Sequence, residues 1–209
     1  MKTKSPSQPS SDLKNPVSNP VSNPISNPIL NPWTTLNSKT TFENSWFKVV
    51  DHKVLNPKNI PAHYGVVEFK NTALGILAVD DKNQIYLVGQ WRFPLGFYSW
   101  EIPEGGGRKG FDPLDEAKRE LKEETGLTAK AWKELQTLHL SNSTTDEKAI
   151  IYLATDLSLG EAAPEETEVL NVKKVSLQEA YRMIEKSEIT DAITVAAIQK
   201  LIIEQSSRL

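Results

Sequence analysis

Apolar residues in this chain fall into short runs of strand length on either side of one long polar helix pattern. Tyr64–Lys70, Ala73–Asp80 and Ile85–Trp91 read as strands separated by short turns. Thr40–Val50 alternates and carries aromatics, which predicts a further strand. The chemistry of Asp80-Asp81-Lys82-Asn83 predicts a hairpin turn. Farther on, Ala131–Leu140, Ile150–Thr155 and Glu168–Ser176 look extended. Helical spacing appears over Pro113–Thr125, over Leu177–Ser187 and over Asp191–Glu204. In the last of these Ala192, Val195, Ala196, Ile198, Leu201 and Ile202 supply apolar faces, and Thr190 or Asp191 would cap it. Asp112 is a natural N-cap for the first helix, Pro113 suits its first turn, and Gly126 ends it where a left-handed cap is expected.

The pattern stops at Trp33. Before it, Asn15-Pro16-Val17-Ser18 opens a tetrapeptide repeat that runs on to Asn27-Pro28-Ile29-Leu30. Proline at every fourth position forbids helix and removes donors that a sheet ladder needs. Residues 1–33 are therefore expected to form a disordered or polyproline-like arm, and residues 34–209 one domain. A length of 209 residues suits that division.

Composition narrows the function classes. The net charge is −3 with no basic block, which argues against a nucleic-acid partner. No apolar run approaches the roughly 20 residues of a membrane span, and no signal-peptide core is evident at the N-terminus. The absence of cysteine excludes disulfides, zinc–thiolate sites and a thiol nucleophile, and fits a reducing cytoplasm. His52, His63 and His139 show no metal-ligand spacing.

The chemistry concentrates in Gly105–Leu127. Gly105, Gly106, Gly107 and Gly110 form a glycine-rich turn, and Glu116, Glu120, Glu123 and Glu124 follow at helical spacing. Like charges three or four residues apart each cost about 0.2–0.5 kcal/mol, so something positive should sit among them. Lys118, Arg119 and Lys122 offset part of that repulsion; a hard divalent cation would offset it fully. Glu120 and Glu124, four apart on one face, are the first choice as magnesium ligands.

From Gly105 the segment resembles the Nudix hydrolase box, G-x5-E-x7-R-E-U-x-E-E-x-G-U with U aliphatic. Arg119-Glu120-Leu121-Lys122-Glu123-Glu124-Thr125-Gly126-Leu127 fills its second half without a mismatch. One position departs: Phe111 stands where the box has its first glutamate, a carboxylate that usually supports the box arginine and the metal-binding shell. The resemblance spans roughly residues 40 to 205. It implies an α/β fold, an α/β/α sandwich around a mixed sheet, preceded by an N-terminal antiparallel strand region over residues 34–70.

The resemblance also implies a Mg2+-dependent pyrophosphohydrolase, with Mn2+ as the alternative ion. Glu123 joins Glu120 and Glu124 when further ions bind, and the backbone carbonyl of Glu104 is a further ligand. Arg119 holds the loop and the carboxylates in place. In the ADP-ribose pyrophosphatase branch the general base comes from a late acidic loop, here Pro164-Glu165-Glu166-Thr167-Glu168. Glu166 is the choice and Glu168 the reserve, with box residue Glu123 a competitor. Gln90-Trp91-Arg92-Phe93-Pro94 and Trp100-Glu101-Ile102-Pro103-Glu104-Gly105 resemble hydrolases of ADP-ribose and nucleoside-diphosphate sugars. Arg92 can fork onto a diphosphate. Trp91 can stack on a base or pack in the core. Glu101 can bond ribose or base, or simply pair with Arg92. Ser141-Asn142-Ser143 stands where the ADP-ribose branch tends to carry a proline, which keeps nucleoside-diphosphate sugars open. Enzymes of this branch are usually homodimers that exchange N-terminal strands, so residues 34–70 are the expected interface. The rivals are a nucleotide-binding module with weak turnover and a nucleoside triphosphate pyrophosphohydrolase.

Overall fold

Two strands buried on both faces organise the domain. The computed structural model describes residues 30–160 and 170–207, and the larger of the chain's two compact units begins at Trp33. Strand β4 (Asn71–Ala78) pairs in parallel with β9 (Lys148–Leu159). Along each, successive side chains alternate between two cores, as strand geometry requires. Leu74, Ile76 and Ala78 of β4 and Ile150, Tyr152 and Ala154 of β9 point one way, against Ala117 and Leu121 of helix α1 (Pro113–Thr125). Leu77 of β4 and Ala149 and Ile151 of β9 point the other way, against Ile193, Ala197 and Ile198 of helix α3 (Ala192–Ser206). Near-continuous apolar runs in these strands follow from burial on both faces.

Two antiparallel neighbours complete a mixed four-stranded sheet. They are β7 (Glu104–Arg108), against β4, and β8 (Leu127–His139), against β9. A second sheet orders β10 (Asn171–Ser176), β5 (Gln84–Arg92) and β6 (Phe97–Glu101). Helix α2 (Leu177–Glu185) follows β10, and its Leu177, Ala180 and Met183 enter the core shared with α3. The layers are thus helix, mixed sheet and helix.

A third sheet, antiparallel in the order β1-β2-β3, comprises β1 (Thr34–Glu43), β2 (Phe47–Leu55) and β3 (Pro61–Phe69). It is tied to the rest of the domain through β3. The Val67 amide donates to the Thr144 carbonyl at 2.9 Å, and the Phe69 amide to Asp146 Oδ1 at 2.7 Å. The polar loop beginning at Ser141 is therefore a seam between sheets as well as a turn.

Caps fall where the residue chemistry places them. Asp112 accepts from the Leu114 and Asp115 amides, Asp191 accepts from Thr194, and Gly126 adopts φ 72°. Asp80 Oδ1 accepts from the Lys82 and Gln84 amides and closes the expected turn.

Two expectations are corrected. Thr40–Val50 is not one strand: β1 ends at Glu43 and β2 starts at Phe47. Asn44 Oδ1 accepts from the Trp46 and Phe47 amides, an Asx turn that reverses the chain. The glycine-rich stretch is not all turn: Gly105, Gly106 and Gly107 lie in β7 and pair with Leu74, Ala73 and Thr72. Only the Arg108–Phe111 end turns, with Gly110 at φ 95°. The Asn-Pro repeat up to Ile29 and the acidic segment with Glu166 and Glu168 lie outside the described residues.

Candidate active site

Strand β7 and helix α1 meet at Gly105, where the Glu120 side chain fills the space a Cβ would take. A Cβ on Gly105 would stand 2.1 Å from Glu120 Cδ, so the Glu120 carboxylate could not keep its place beside any other residue. The missing side chain lets the Glu120 carboxylate lie directly on the strand backbone. Glu124, one turn later and buried, accepts from the Glu104 amide at 3.1 Å. Both residues face a cavity of about 590 Å³, whose wall also includes Glu123, Arg119, Arg92, Glu104 and Glu147.

Arg119 is the cation among the carboxylates. Its Nη1 donates to Glu123 at 2.5 Å, and its Nη2 donates to Glu120 at 2.6 Å and to Glu116 at 3.3 Å. Glu116 turns away from the cavity wall. Arg108 forks onto it through Nε at 2.9 Å and Nη2 at 2.6 Å, and the Arg108 amide adds a third bond at 3.2 Å. The Arg108 guanidinium holds the Glu116 carboxyl down at about 2 against the opposing effect of burial. Of the four glutamates that share helical spacing, three therefore reach the cavity, and the fourth is held chiefly by Arg108 with a longer contact to Arg119.

Glu104 turns its side chain toward the start of α3, where Thr194 Oγ1 donates to it at 3.1 Å. Burial raises its carboxyl well above the ordinary value, and the charges of Asp191 and Glu101 push the same way. Arg92 and Glu101 are paired. Arg92 Nε donates to both Glu101 oxygens at 3.0 and 3.1 Å, and Nη2 donates to Oε2. Glu101 is 3% exposed, so this is the simple-pairing alternative rather than a free acceptor. Trp91, by contrast, is 62% exposed and does not line the cavity. Trp100 packs against the core instead, with Lys173 Nζ 3.7 Å from its ring centroid.

The sequence places Asp146-Glu147 in a polar loop that could line the substrate mouth, a hairpin being the duller reading, and gives no sign of Arg108. Glu147 is half-buried on the cavity wall, and burial raises its carboxyl, with Asp146 and Asp191 adding to the effect. The only signal for it was the polar run beginning at Ser141. Arg108 gave none, because its partner lies across the strand-to-helix turn.

The donor set suits a hard divalent ion. Three carboxylates line one wall, Glu120 lying against Gly105 and Glu124 on the Glu104 amide. As they stand, no three acidic or histidine groups among the described residues are drawn together tightly enough to hold a metal. Arg119 accounts for this, since its guanidinium already takes oxygens of Glu120 and Glu123.

The family model for the NUDIX domain matches residues 69–197. The chain is 39% identical over 136 residues to the ADP-ribose pyrophosphatase of Bacillus subtilis (strain 168), covering 64% of this chain and 74% of that protein. It is 32% identical over 174 residues to the ADP-ribose pyrophosphatase of Mycobacterium tuberculosis, covering 78% and 80%. It is also 35% identical to the methanol dehydrogenase activator of Bacillus methanolicus over 64% of this chain and 74% of that one. A solved structure of an ADP compounds hydrolase superposes with a TM-score of 0.77 at 22% identity over 86% of this chain and 97% of that chain, a likeness of fold. The chain therefore belongs to the Nudix family, as a pyrophosphohydrolase whose relatives include ADP-ribose pyrophosphatases.

Proposed function

We propose that this enzyme hydrolyses the pyrophosphate bond of ADP-ribose or a nucleoside-diphosphate sugar, giving a nucleoside monophosphate and a sugar phosphate, with Mg2+ and alternatively Mn2+. The observation that carries the reading is a single cavity with Glu120, Glu123 and Glu124 on its wall together with Arg92. A diphosphate calls for both features: oxygen ligands for the cation that accompanies it, and a guanidinium for its own charge. The names carried by the Bacillus subtilis and Mycobacterium tuberculosis relatives support ADP-ribose within that class.

Glu120 and Glu124 would hold the ion, joined by Glu123 and the Glu104 backbone carbonyl. An ion held by these residues would supply polarisation of phosphoryl oxygens and a lowered pKa for a bound water. Arg119 positions the carboxylates, and Glu120 and Glu123 must turn from it to take an ion. Arg92 keeps Glu101 on Nε and Nη2, which leaves Nη1 for a phosphate oxygen. Trp91 is available to stack on a base only from outside this cavity. Glu166 is the proposed base that takes the proton of the attacking water, and Glu123 is its alternative because it already lines the cavity.

The partner proposed beyond the substrate is a second copy of the chain, docked through residues 34–70. All ten residues of β1 are exposed along an edge of its sheet. No nucleic-acid partner is proposed, given a net charge of −3. Among the described residues no helix is long and apolar enough to cross a membrane. A cytoplasmic setting is proposed on the absence of cysteine.

The test is incubation with Mg2+ and a panel of ADP-ribose, nucleoside-diphosphate sugars and nucleoside triphosphates. Release of nucleoside monophosphate from one of the first two groups is expected, and none from any of them would sink the reading. Phosphate or pyrophosphate release from a triphosphate would instead favour the triphosphate branch. Phe111 at the box glutamate position favours a second reading, a binding module. Tight nucleotide binding by calorimetry without detectable turnover would select it.

A further inference from the structure

Phe111 occupies the place of the first box glutamate and is 58% exposed. A carboxylate nevertheless reaches the box arginine. Glu116, in the first turns of α1, is 4% exposed and accepts from Arg119 Nη2 at 3.3 Å as well as from three donors of Arg108. Arg108 is the last residue of β7, the strand that carries Glu104 and Gly105. The Phe111 ring covers its guanidinium, with 4.2 Å from Cζ to the ring centroid. So the aromatic residue steadies the arginine, the arginine steadies Glu116, and Glu116 meets Arg119.

A latch between β7 and α1 would need only the Arg108 pair. The added contact with Arg119 has a different consequence, because the same guanidinium also holds Glu120 and Glu123. Arg119 Nε is buried and finds no acceptor among the described residues, so this guanidinium is fixed through its two Nη groups alone. Glu116 is its one carboxylate partner off the cavity wall, so Glu116 ties the guanidinium, and with it Glu120 and Glu123, to the β7 end of α1.

We propose that Glu116 is a positioning residue that performs the task of the absent box glutamate, orienting Arg119 and through it the carboxylate wall. The inference rests on the metal-dependent hydrolysis proposed above. It explains how the box keeps a supported arginine while position 111 carries an aromatic ring. Arg108 and Phe111 form the bracket that makes the substitution work.

The test uses the full chain and compares Glu116→Gln, Phe111→Glu and the double variant. It reads Mn2+ binding by electron paramagnetic resonance, kcat, KM and Tm. Glu116→Gln is expected to lower kcat about 10–100-fold and weaken Mn2+ binding about tenfold, with KM within about threefold of the parent, as for groups that orient metal ligands. Phe111→Glu in that background should recover most of both losses by returning a carboxylate to Arg119. Phe111→Glu alone should stay within about threefold of the parent, since the new carboxylate reaches Arg119 directly as the bracket on Glu116 is lost. The proposal is overturned if Glu116→Gln keeps parental kcat and Mn2+ affinity. It is equally overturned if Phe111→Glu fails to recover the loss, which would leave Glu116 a latch, or if Phe111→Glu alone raises kcat tenfold or more. Should Glu116→Gln fail to fold, Glu116→Asp, which keeps the charge on a shorter arm, is put through the same comparison. If the parent turns over no substrate, the proposed function fails on its own, and the Mn2+ titration still decides the role of Glu116.

Discussion

Glu120 and Glu124 are held by different partners, and their loss should be felt in chemistry more than in folding. Glu124 accepts from the Glu104 amide, and a glutamine there keeps an oxygen for that bond. Glu120 lies against Gly105 and Arg119, and a glutamine again preserves the shape. Glu120→Gln and Glu124→Gln should each lower kcat by about 10³-fold, the scale of losing one preorganised electrostatic contact. Tm should move by only a few degrees; a small kinetic effect from both would mean the ion is held elsewhere. Glu116 contributes on another axis. Its folded pKa of about 2 lies below the ordinary 4.5, so its contribution is fully present above 4.5 and fades as pH falls toward 2. Urea midpoints measured from about pH 5 to pH 3 should fall less steeply for Glu116→Gln than for the parent. At this scale the sequence was legible wherever partners are neighbours on one helix, as with Arg119, Glu120 and Glu123. It was silent on Arg108–Glu116 and pointed to Glu147 only through the polar loop that carries it. Their roles depend on how β7 meets α1 and how β9 enters the sheet, which spacing does not encode.

At the level of elements, β7 is where sequence and structure part most usefully. Glycines clustered before a helix read as a turn, because glycine is the residue that turns favour. Three of them form a strand instead, since β4 offers backbone to pair with, and side chains there would crowd Glu120 of α1 at Gly105 and Asn71 and Leu74 of β4 at Gly106 and Gly107. Helix α1 itself was fully legible, from the Asp112 cap to Gly126, because capping chemistry is local. The Thr40–Val50 misreading has the converse cause: alternation continues across Asn44, and only its side-chain bonds to two following amides reveal the reversal. Gly105→Ala tests the strand reading. The new methyl would take the place of the Glu120 carboxylate and force that side chain off the strand. Lower thermal stability, weaker Mn2+ binding and a large fall in kcat are expected together. A variant with parental kcat would show that the close packing of Glu120 on β7 is not needed for activity.

For the molecule as a whole, the N-terminal sheet matters because it contributes to the cavity while leaving its own outer strand uncovered. Trp46, from the turn between β1 and β2, and Phe69, from β3, line the cavity that the carboxylates face. Any partner that holds this sheet in place therefore also shapes the substrate site. Strand β1 is exposed at every residue, with Leu36 and Phe42 more than half accessible, and a twisted edge of that kind invites pairing or covering. Two register shifts, between Thr35 and Asn37 and between Thr40 and Phe42, bend the edge and make pairing geometry-selective. If a second copy covers it, Leu36→Glu and Phe42→Glu should convert the protein to half its mass in sedimentation equilibrium. Burying a carboxylate without a partner costs far more than an exposed one, so each change should act on association while leaving Tm of the isolated chain nearly unaltered. KM should then rise more than kcat falls, because Trp46 and Phe69 lose their support whereas Glu120 and Glu124 sit on α1 and keep theirs. A parent that already sediments as a monomer at micromolar concentration would refute the dimer. It would also leave the bonds within one chain, chiefly the seam between β3 and the loop from Ser141 to Asp146, to hold this side of the site.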